Sequence, residues 1–408
     1  MNNKQVAVLS IPVIVAALGY FVDIYDLLLF AIVRIPSLQS LGLSKVQIAS
    51  DGQWILNMQM IGLLIGGVLW GILGDKKGRM KVLFASIIIY SLGNIANGFV
   101  QNVTQYGAVR FFTGIGLAGE LGAGITLVTE ILPKEKRGIA TSLVAALGIL
   151  GAVAAFFIRE QFSDWRICYY VGGGLGFLLL ILRVSVHESG MFKDIEQANI
   201  SKGNFFMLFN NGKRFKKYIT AILVGLPTWY VIGILIAFSN EFAAKMNMKG
   251  SVDPAKAIMI SYAIISVGGV LIGFVSKWLK SRKKSLYIFY FITAIGVLWF
   301  FKLQHADASQ MYMACAVLGF GVGFWSIFVT MAAEQFGTNL RATVATTAPN
   351  MIRGSLVLVS LLFDWMQKEN ISYVNAGWIT GVVTLIIGII AVMLSEETYH
   401  KDLNYVEE

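Results

Sequence analysis

Five ionisable side chains lie inside long apolar runs of this chain: Asp23, Asp26, Arg110, Glu120 and Arg353. An ionised group in hydrocarbon costs roughly 2.5–3.5 kcal/mol on insertion scales, so each needs a partner, a wet cavity or a task. Asp23 and Asp26 stand three apart and share one face of a helix, where two neighbouring carboxylates resist being ionised together unless a cation intervenes. That arrangement suits a proton carrier. Arg110 lies at about the depth of Asp26 and is expected to pair with it, which leaves Asp23 or Glu120 to take up and release a proton. The alternative is one static network of all four. Arg353 falls about 18 Å into its run at 1.5 Å per residue, near the middle of a bilayer. A guanidinium there can hold a carboxylate or phosphate through two parallel hydrogen bonds. It can equally pair with Asp364 or bond carbonyls near Asn350.

Aromatic and amide side chains at similar depth fill out a candidate substrate site. They are Tyr25, Gln53, Asn57, Trp229 and Tyr230 after a kink expected at Pro227, Trp325 and Asn350. Solute cavities combine apolar walls with a few aimed polar groups, and this set has that mixture. Taken singly, each aromatic reads equally well as packing or as an interface anchor.

The elements that must carry these residues follow from hydropathy. Of the 408 residues, 56% are hydrophobic and 14% charged, and the apolar residues come in blocks of about 20–25, the length that crosses roughly 30 Å of hydrocarbon. Twelve spans are expected, near 7–33, 52–74, 80–99, 105–131, 138–160, 165–186, 216–242, 255–279, 284–302, 309–333, 342–366 and 373–394. The first is read as a retained span, being too long for a signal-peptide core. With alternate connectors assigned to opposite sides, 22 of the 33 Lys and Arg fall on the side that holds both termini, which the positive-inside rule makes cytoplasmic. The net charge of +10 therefore reads as membrane orientation and not as nucleic-acid binding.

A polar stretch at 187–215 divides the chain into 1–186 and 216–408, two expected six-helix bundles joined by a cytoplasmic linker. The halves echo one another: Glu130 and Arg137 recur as Glu334 and Arg341 at an offset of 204 residues. Parallel repeats at half the chain length imply a transporter with its site between the halves. Glycines concentrate in the spans, as at Gly62, Gly66, Gly67 and Gly71, where small residues let helices approach closely.

Between spans 2 and 3 stands Gly71-Ile-Leu-Gly74-Asp75-Lys76-Lys77-Gly78-Arg79-Met80-Lys81, which resembles the signature loop of the major facilitator superfamily. Arg110, Gly114, Gly119-Glu120, Glu130, Pro133, Arg137 and Gly138 resemble the span 4 pattern of its metabolite:proton symporters, sugar porters and organic-ion transporters. Asp23-Ile24-Tyr25-Asp26 is similar to the span 1 motif of the metabolite:proton symporters. The resemblance implies two six-helix bundles around a central cavity, alternating access, and a cytoplasmic gate carried by Asp75, Arg79, Glu130, Arg137, Glu334 and Arg341. Organic-anion carriers of this branch have a basic residue in span 11, which places Arg353 in substrate contact. The second-half loop departs from the pattern, with Lys277 where an Asp is expected, and span 5 lacks the Gly-Pro of drug antiporters.

The expected function is proton-coupled import of a small organic anion, such as a carboxylate, across a bacterial-type cytoplasmic membrane by a monomer. A carrier of a neutral or zwitterionic solute is the alternative, and a non-transporting sensor a more distant one. No cofactor or metal is expected, because Cys168 and Cys315 lie apart in apolar blocks and no Cys/His ligand spacing occurs. An enzyme is not expected either: His187, His305 and His400 lie in or beside connectors, away from any nucleophile.

Overall fold

A computed structural model describes residues 10–132, 134–184 and 205–401. Twelve spans traverse it. Span 1 is Ile11–Ser40, span 2 Lys45–Lys77, span 3 Arg79–Asn97 and span 6 Trp165–Arg183. Span 8 is Pro254–Leu279, span 9 Arg282–Phe301, span 11 Thr338–Lys368 and span 12 Tyr373–Leu394. The other four are interrupted. Span 4 is Val103–Leu117 followed by Glu120–Ile131, span 5 is Lys134–Ile149 with Gly151–Gln161, and span 10 is Ala308–Val322 with Trp325–Glu334. Span 7 runs α-helical over Gly212–Tyr230, widens to a π-helix over Val231–Ile236, and resumes at Ser239–Lys245. The irregularity expected at Pro227 thus appears one turn later, where the hydrogen-bond ladder slips to the wider register.

Eleven of these helices are long and apolar enough to cross a membrane. Span 4 is the twelfth, in two helical pieces of 15 and 12 residues. Helices overrun the hydropathic blocks, most clearly in span 1, which reaches Ser40. Polar residues set the ends: Ser44 forms a reciprocal capping box with Gln47, and Asp253 caps span 8 ahead of Pro254.

Spans 1–6 pack against one another, as do spans 7–12, and the two groups meet where span 2 lies along span 11 and span 5 along span 8. The expected linker falls mostly on residues 187–204, outside the described set, and span 7 begins at Gly212, four residues before the expected boundary. Large apolar side chains such as Phe112, Ile181, Phe274, Trp278 and Leu358 stay more than half exposed on the outer faces, a surface suited to lipid.

The halves repeat in detail beyond their sequence echo. Span 4 breaks at Gly119 and span 10 at Gly323, the same offset of 204 residues that relates Glu130 to Glu334. Tyr25 of span 1 donates its hydroxyl to the Cys168 carbonyl of span 6 at 2.8 Å, and Tyr230 of span 7 donates to the Gly377 carbonyl of span 12, also at 2.8 Å. Each bundle therefore ties its first helix to its last by a buried tyrosine.

Candidate functional site

At mid-depth between the bundles lies a narrow cavity of about 20 Å³, room for about one water molecule in this conformation. Its walls are apolar, aliphatic side chains such as Ile24 and Leu27 alternating with four aromatics: Tyr20 from span 1, Trp229 from span 7, Tyr262 from span 8 and Trp325 from span 10. Polar groups enter at three points. Arg353 of span 11 brings a guanidinium whose Nε has no partner, Thr228 brings a hydroxyl without one, and the Tyr20 hydroxyl sits beside Arg353 and the Trp325 indole. Of the residues expected at the substrate, the cavity collects Arg353, Trp229 and Trp325. Tyr20, Thr228 and Tyr262 were missed, since nothing in their local sequence separates them from packing residues.

Arg353 is 1% exposed and spans the seam between the bundles. Its Nη2 meets Asp23 Oδ2 of span 1 at 3.4 Å, and its Nη1 meets Asn350 Oδ1 at 3.4 Å. Asp23 Oδ1 has no partner. Both contacts are long for a charge-assisted bond, which leaves the guanidinium open to a better acceptor. Asp364, the alternative partner, instead accepts both bonds of the Gln53 amide at 3.1 Å.

The other buried charges do not pair as expected. Arg110 donates to the main-chain carbonyl of Asp26 at 2.9 Å and to Gln59 at 3.2 Å, not to the Asp26 carboxylate. The reason is direction: Asp26 Oδ1 points at Gly172 of span 6, where an added Cβ would come within 2.6 Å of it, and Arg110 approaches the helix from span 4. Glu120 is held instead by Arg183 of span 6, through Nη2 and through Nη1 at 3.1 Å. Arg183 sits in the last turn of its span and reads in the sequence as a connector charge.

Five expected substrate contacts are seam or bundle ties. Gln53 and Asn57 of span 2 face span 11, where Asn57 accepts from Ser360 at 3.0 Å. Tyr25 and Tyr230 are fully buried in the ties described above. Asn350 also serves the seam, donating to the Ala118 carbonyl at the break of span 4 at 2.8 Å. Amides and phenols have hydrogen bonds to make wherever they are buried, so residue type alone does not tell a cavity wall from a helix contact.

On the side opposite the termini, Arg34 of span 1 ties the bundles together. It donates to Glu241 at 2.9 Å, Asn240 at 3.1 Å and the Ala237 carbonyl at 3.0 Å, and stacks over Phe238 at 4.1 Å. The sequence placed Arg34 one residue beyond the end of span 1 and so passed over it. Of the expected gate residues, the side chains of Asp75, Arg79, Glu130, Arg137 and Arg341 lie outside the described residues. Glu334 pairs with Arg282 of span 9 at 3.1 Å and accepts from Thr398 at 2.6 Å, so a charge pair persists in the second half despite Lys277.

A sequence model described as Major Facilitator Superfamily matches residues 16–355. The niacin transporter NiaP of Acinetobacter baylyi is 25% identical over 96% of this chain and 95% of its own. The cis,cis-muconate transport protein of the same organism is 23% identical over 98% of both chains. The arabinose-proton symporter of Bacillus subtilis is 24% identical over 97% of this chain and 90% of its own. Among solved structures, the proton:xylose symporter XylE bound to 6-bromo-6-deoxy-D-glucose superposes with a TM-score of 0.75 at 17% identity, covering 96% of this chain and 97% of that one.

Proposed function

The chain belongs to the major facilitator superfamily, and from that premise we propose that it imports a small organic anion bearing a carboxylate together with a proton. The observation that carries this reading is Arg353, a buried guanidinium with a free Nε in an aromatic cavity, weakly held by a carboxylate from the other bundle. A substrate carboxylate competes with Asp23 for the same guanidinium. Once displaced, Asp23 would stand ionised and unpaired in a dry site, which is costly, so it takes a proton. Anion and proton then enter together because neither leaves a bare charge behind. The net charge of the site is the same before and after, and the two bundles are free to rock past one another once their shared ion pair is broken. The side holding both termini, rich in Lys and Arg, is the cytoplasmic one.

The names of the niacin and muconate carriers support an unsaturated or aromatic acid as cargo, which Trp229, Tyr262 and Trp325 suit as stacking walls. A sugar is the second reading, favoured by the arabinose-proton symporter among the relatives. Against it, no carboxamide is among the described residues lining the cavity, since Gln53 and Asn57 are spent on the seam.

The test is uptake into liposomes with an inward pH gradient, comparing nicotinate, benzoate and cis,cis-muconate with arabinose and xylose. Accumulation of at least one acid is expected, with Arg353→Ala lowering it about 100-fold, equivalent to about 2.7 kcal/mol. An Arg353→Ala protein that accumulates the acid as well as the parent, or a parent that accumulates only the sugars, refutes the assignment.

A further inference from the structure

The N-terminal bundle contains a column of buried polar groups that neither the cavity nor the seam uses. Span 3 contributes Tyr90, Ser91 and Asn94, at i, i+1 and i+4 of one helix, all fully buried. The Tyr90 and Ser91 hydroxyls have no hydrogen-bond partner, and the Asp26 carboxylate and the Asn94 amide have at most each other. Four neighbouring buried residues left short of hydrogen-bond partners are what ordered water completes in a native interior.

The groups lie in order along the bundle axis. At 1.5 Å per residue, Asp26 and Asn94 each stand about 22 Å from the terminal-side end of their helix, and Tyr90 and Glu120 about 16 Å. Span 6 makes the space. A Cβ at Gly172 would come within 2.6 Å of Asp26 and 3.4 Å of the Asn94 amide nitrogen, and one at Gly176 would run into the Ser91 hydroxyl and within 3.0 Å of the Tyr90 ring. Level with Tyr90 is the Glu120–Arg183 pair, and Arg183 lines a second, smaller cavity. That cavity, bounded by Pro12, Val15, Met80 and Leu127, lies near the terminal-side ends of spans 1 and 3.

We propose that this column, from Asp26 past Asn94, Ser91 and Tyr90 to Glu120, carries the coupling proton between Asp23, one turn from Asp26 on span 1, and the terminal-side cavity, inside the N-terminal bundle and apart from the path of the substrate. The proposal rests on the proton-coupled reading above. The charged and titratable groups facing the upper end are Asp23 on the same helix, Arg110 from span 4 and Tyr90 from span 3; those facing the lower end are Arg183, Tyr90 and Asp23. Arg110 beside Asp26 repels a metal cation, which makes a proton the fitting occupant. The Ser91 and Tyr90 hydroxyls each accept a proton on one side and give up their own on the other, with water between them, and Asn94 orders that water. A proton arriving at Glu120 breaks its pair with Arg183, and the Arg183 charge then drives it on into the cavity.

The column separates two readouts. Exchange of internal for external acid moves no net proton, whereas gradient-driven uptake must. In liposomes loaded with a pH-sensitive dye and given nicotinate and cis,cis-muconate, Tyr90→Phe and Gly176→Ala are expected to keep exchange within about twofold. Uptake and internal acidification should fall at least tenfold, and Ser91→Thr should retain both. Gly174→Ala, whose added Cβ meets nothing within 4 Å, serves as the packing control. If uptake and exchange both survive Tyr90→Phe and Gly176→Ala, or both fall together, the column is structural and the proposal fails. A parent protein that moves neither acid refutes the functional reading, and the column with it.

Discussion

At the scale of single residues, the midplane chemistry is three acids against three arginines: Asp23, Asp26 and Glu120 with Arg353, Arg110 and Arg183. The pairs differ in what they can release. Glu120 and Arg183 make two contacts within one bundle, so removing one partner strands the other. Glu120→Gln is expected to cost about 3–5 kcal/mol, read as lowered thermal stability in detergent, and Glu120→Gln with Arg183→Met should recover most of it. Recovery by the double variant is the check; without it the pair has no separable worth. Asp23 holds Arg353 through one long contact across the seam, so Asp23→Asn removes a competitor. That variant should bind nicotinate or benzoate about tenfold more tightly in a thermal-shift titration, yet lose accumulation down a pH gradient. The sequence made all of these except Arg183 conspicuous, because an ion in an apolar run needs a reason. Their partners were hidden, because pairing depends on the rotation of each helix about its axis, which hydropathy blocks of 20 residues do not fix. Arg110 shows the consequence: its depth matched Asp26, and it met the main-chain carbonyl instead of the carboxylate.

At the scale of elements, the spans were legible and, apart from the irregularity expected at Pro227, their interruptions were not. A block of apolar residues reports that a helix crosses the bilayer, but the breaks at Gly119, Leu150 and Gly323 arise from contacts with other helices. Gly151 is the clearest case: a Cβ there would run into the Phe21 carbonyl and within 2.8 Å of the Tyr25 nitrogen, both main-chain atoms of span 1. Main chain cannot give way as a flexible side chain does, so Gly151→Ala should destabilise by about 1–3 kcal/mol, measured by thermal unfolding in detergent. The terminal-side end of span 9 carries a second testable device. Glu397, beyond span 12, accepts from the Arg282 and Lys283 main-chain nitrogens at 2.9 and 3.3 Å and from the Ser281 hydroxyl, capping the helix with a carboxylate from a distant segment. Partial burial pushes its carboxyl up, but the Ser281 bond and the Arg282, Tyr399 and Lys283 N–H groups outweigh that and hold it below the usual carboxylate range. A depressed folded-state value means the cap is fully stabilising above the unfolded value of about 4.3 and is lost as pH falls through the folded one. Glu397→Gln should therefore cost about 1 kcal/mol at pH 7 and progressively less below pH 4.

At the scale of the whole molecule, alternating access requires that each side of the cavity be closed by contacts able to break as a unit. On the side opposite the termini the closing set is compact. Arg34 meets Ala237, Asn240 and Glu241, Arg159 meets Asp253 at 3.1 Å, and Gln53 meets Asp364. Arg34 is the one charged member almost wholly buried, and it bonds where span 7 has just left its π stretch, so the latch engages the most irregular helix of the second bundle. Exposed pairs such as Arg159–Asp253 contribute little. A buried guanidinium with several charge-assisted bonds is worth about 1.5–3 kcal/mol per bond, and 1.4 kcal/mol is already tenfold in a population. Arg34→Ala should therefore favour the conformation open on that side by at least tenfold. A thiol at Leu27, which lines the cavity, reports this directly, since the native Cys168 and Cys315 are fully buried and give little background. Leu27→Cys labelled from outside with an impermeant maleimide should react at least fivefold faster when Arg34→Ala is added, and nicotinate should slow both. Equal rates with and without Arg34 would mean the bundles are held apart or together by the span 2–span 11 seam alone, and that the latch is packing without consequence for the cycle.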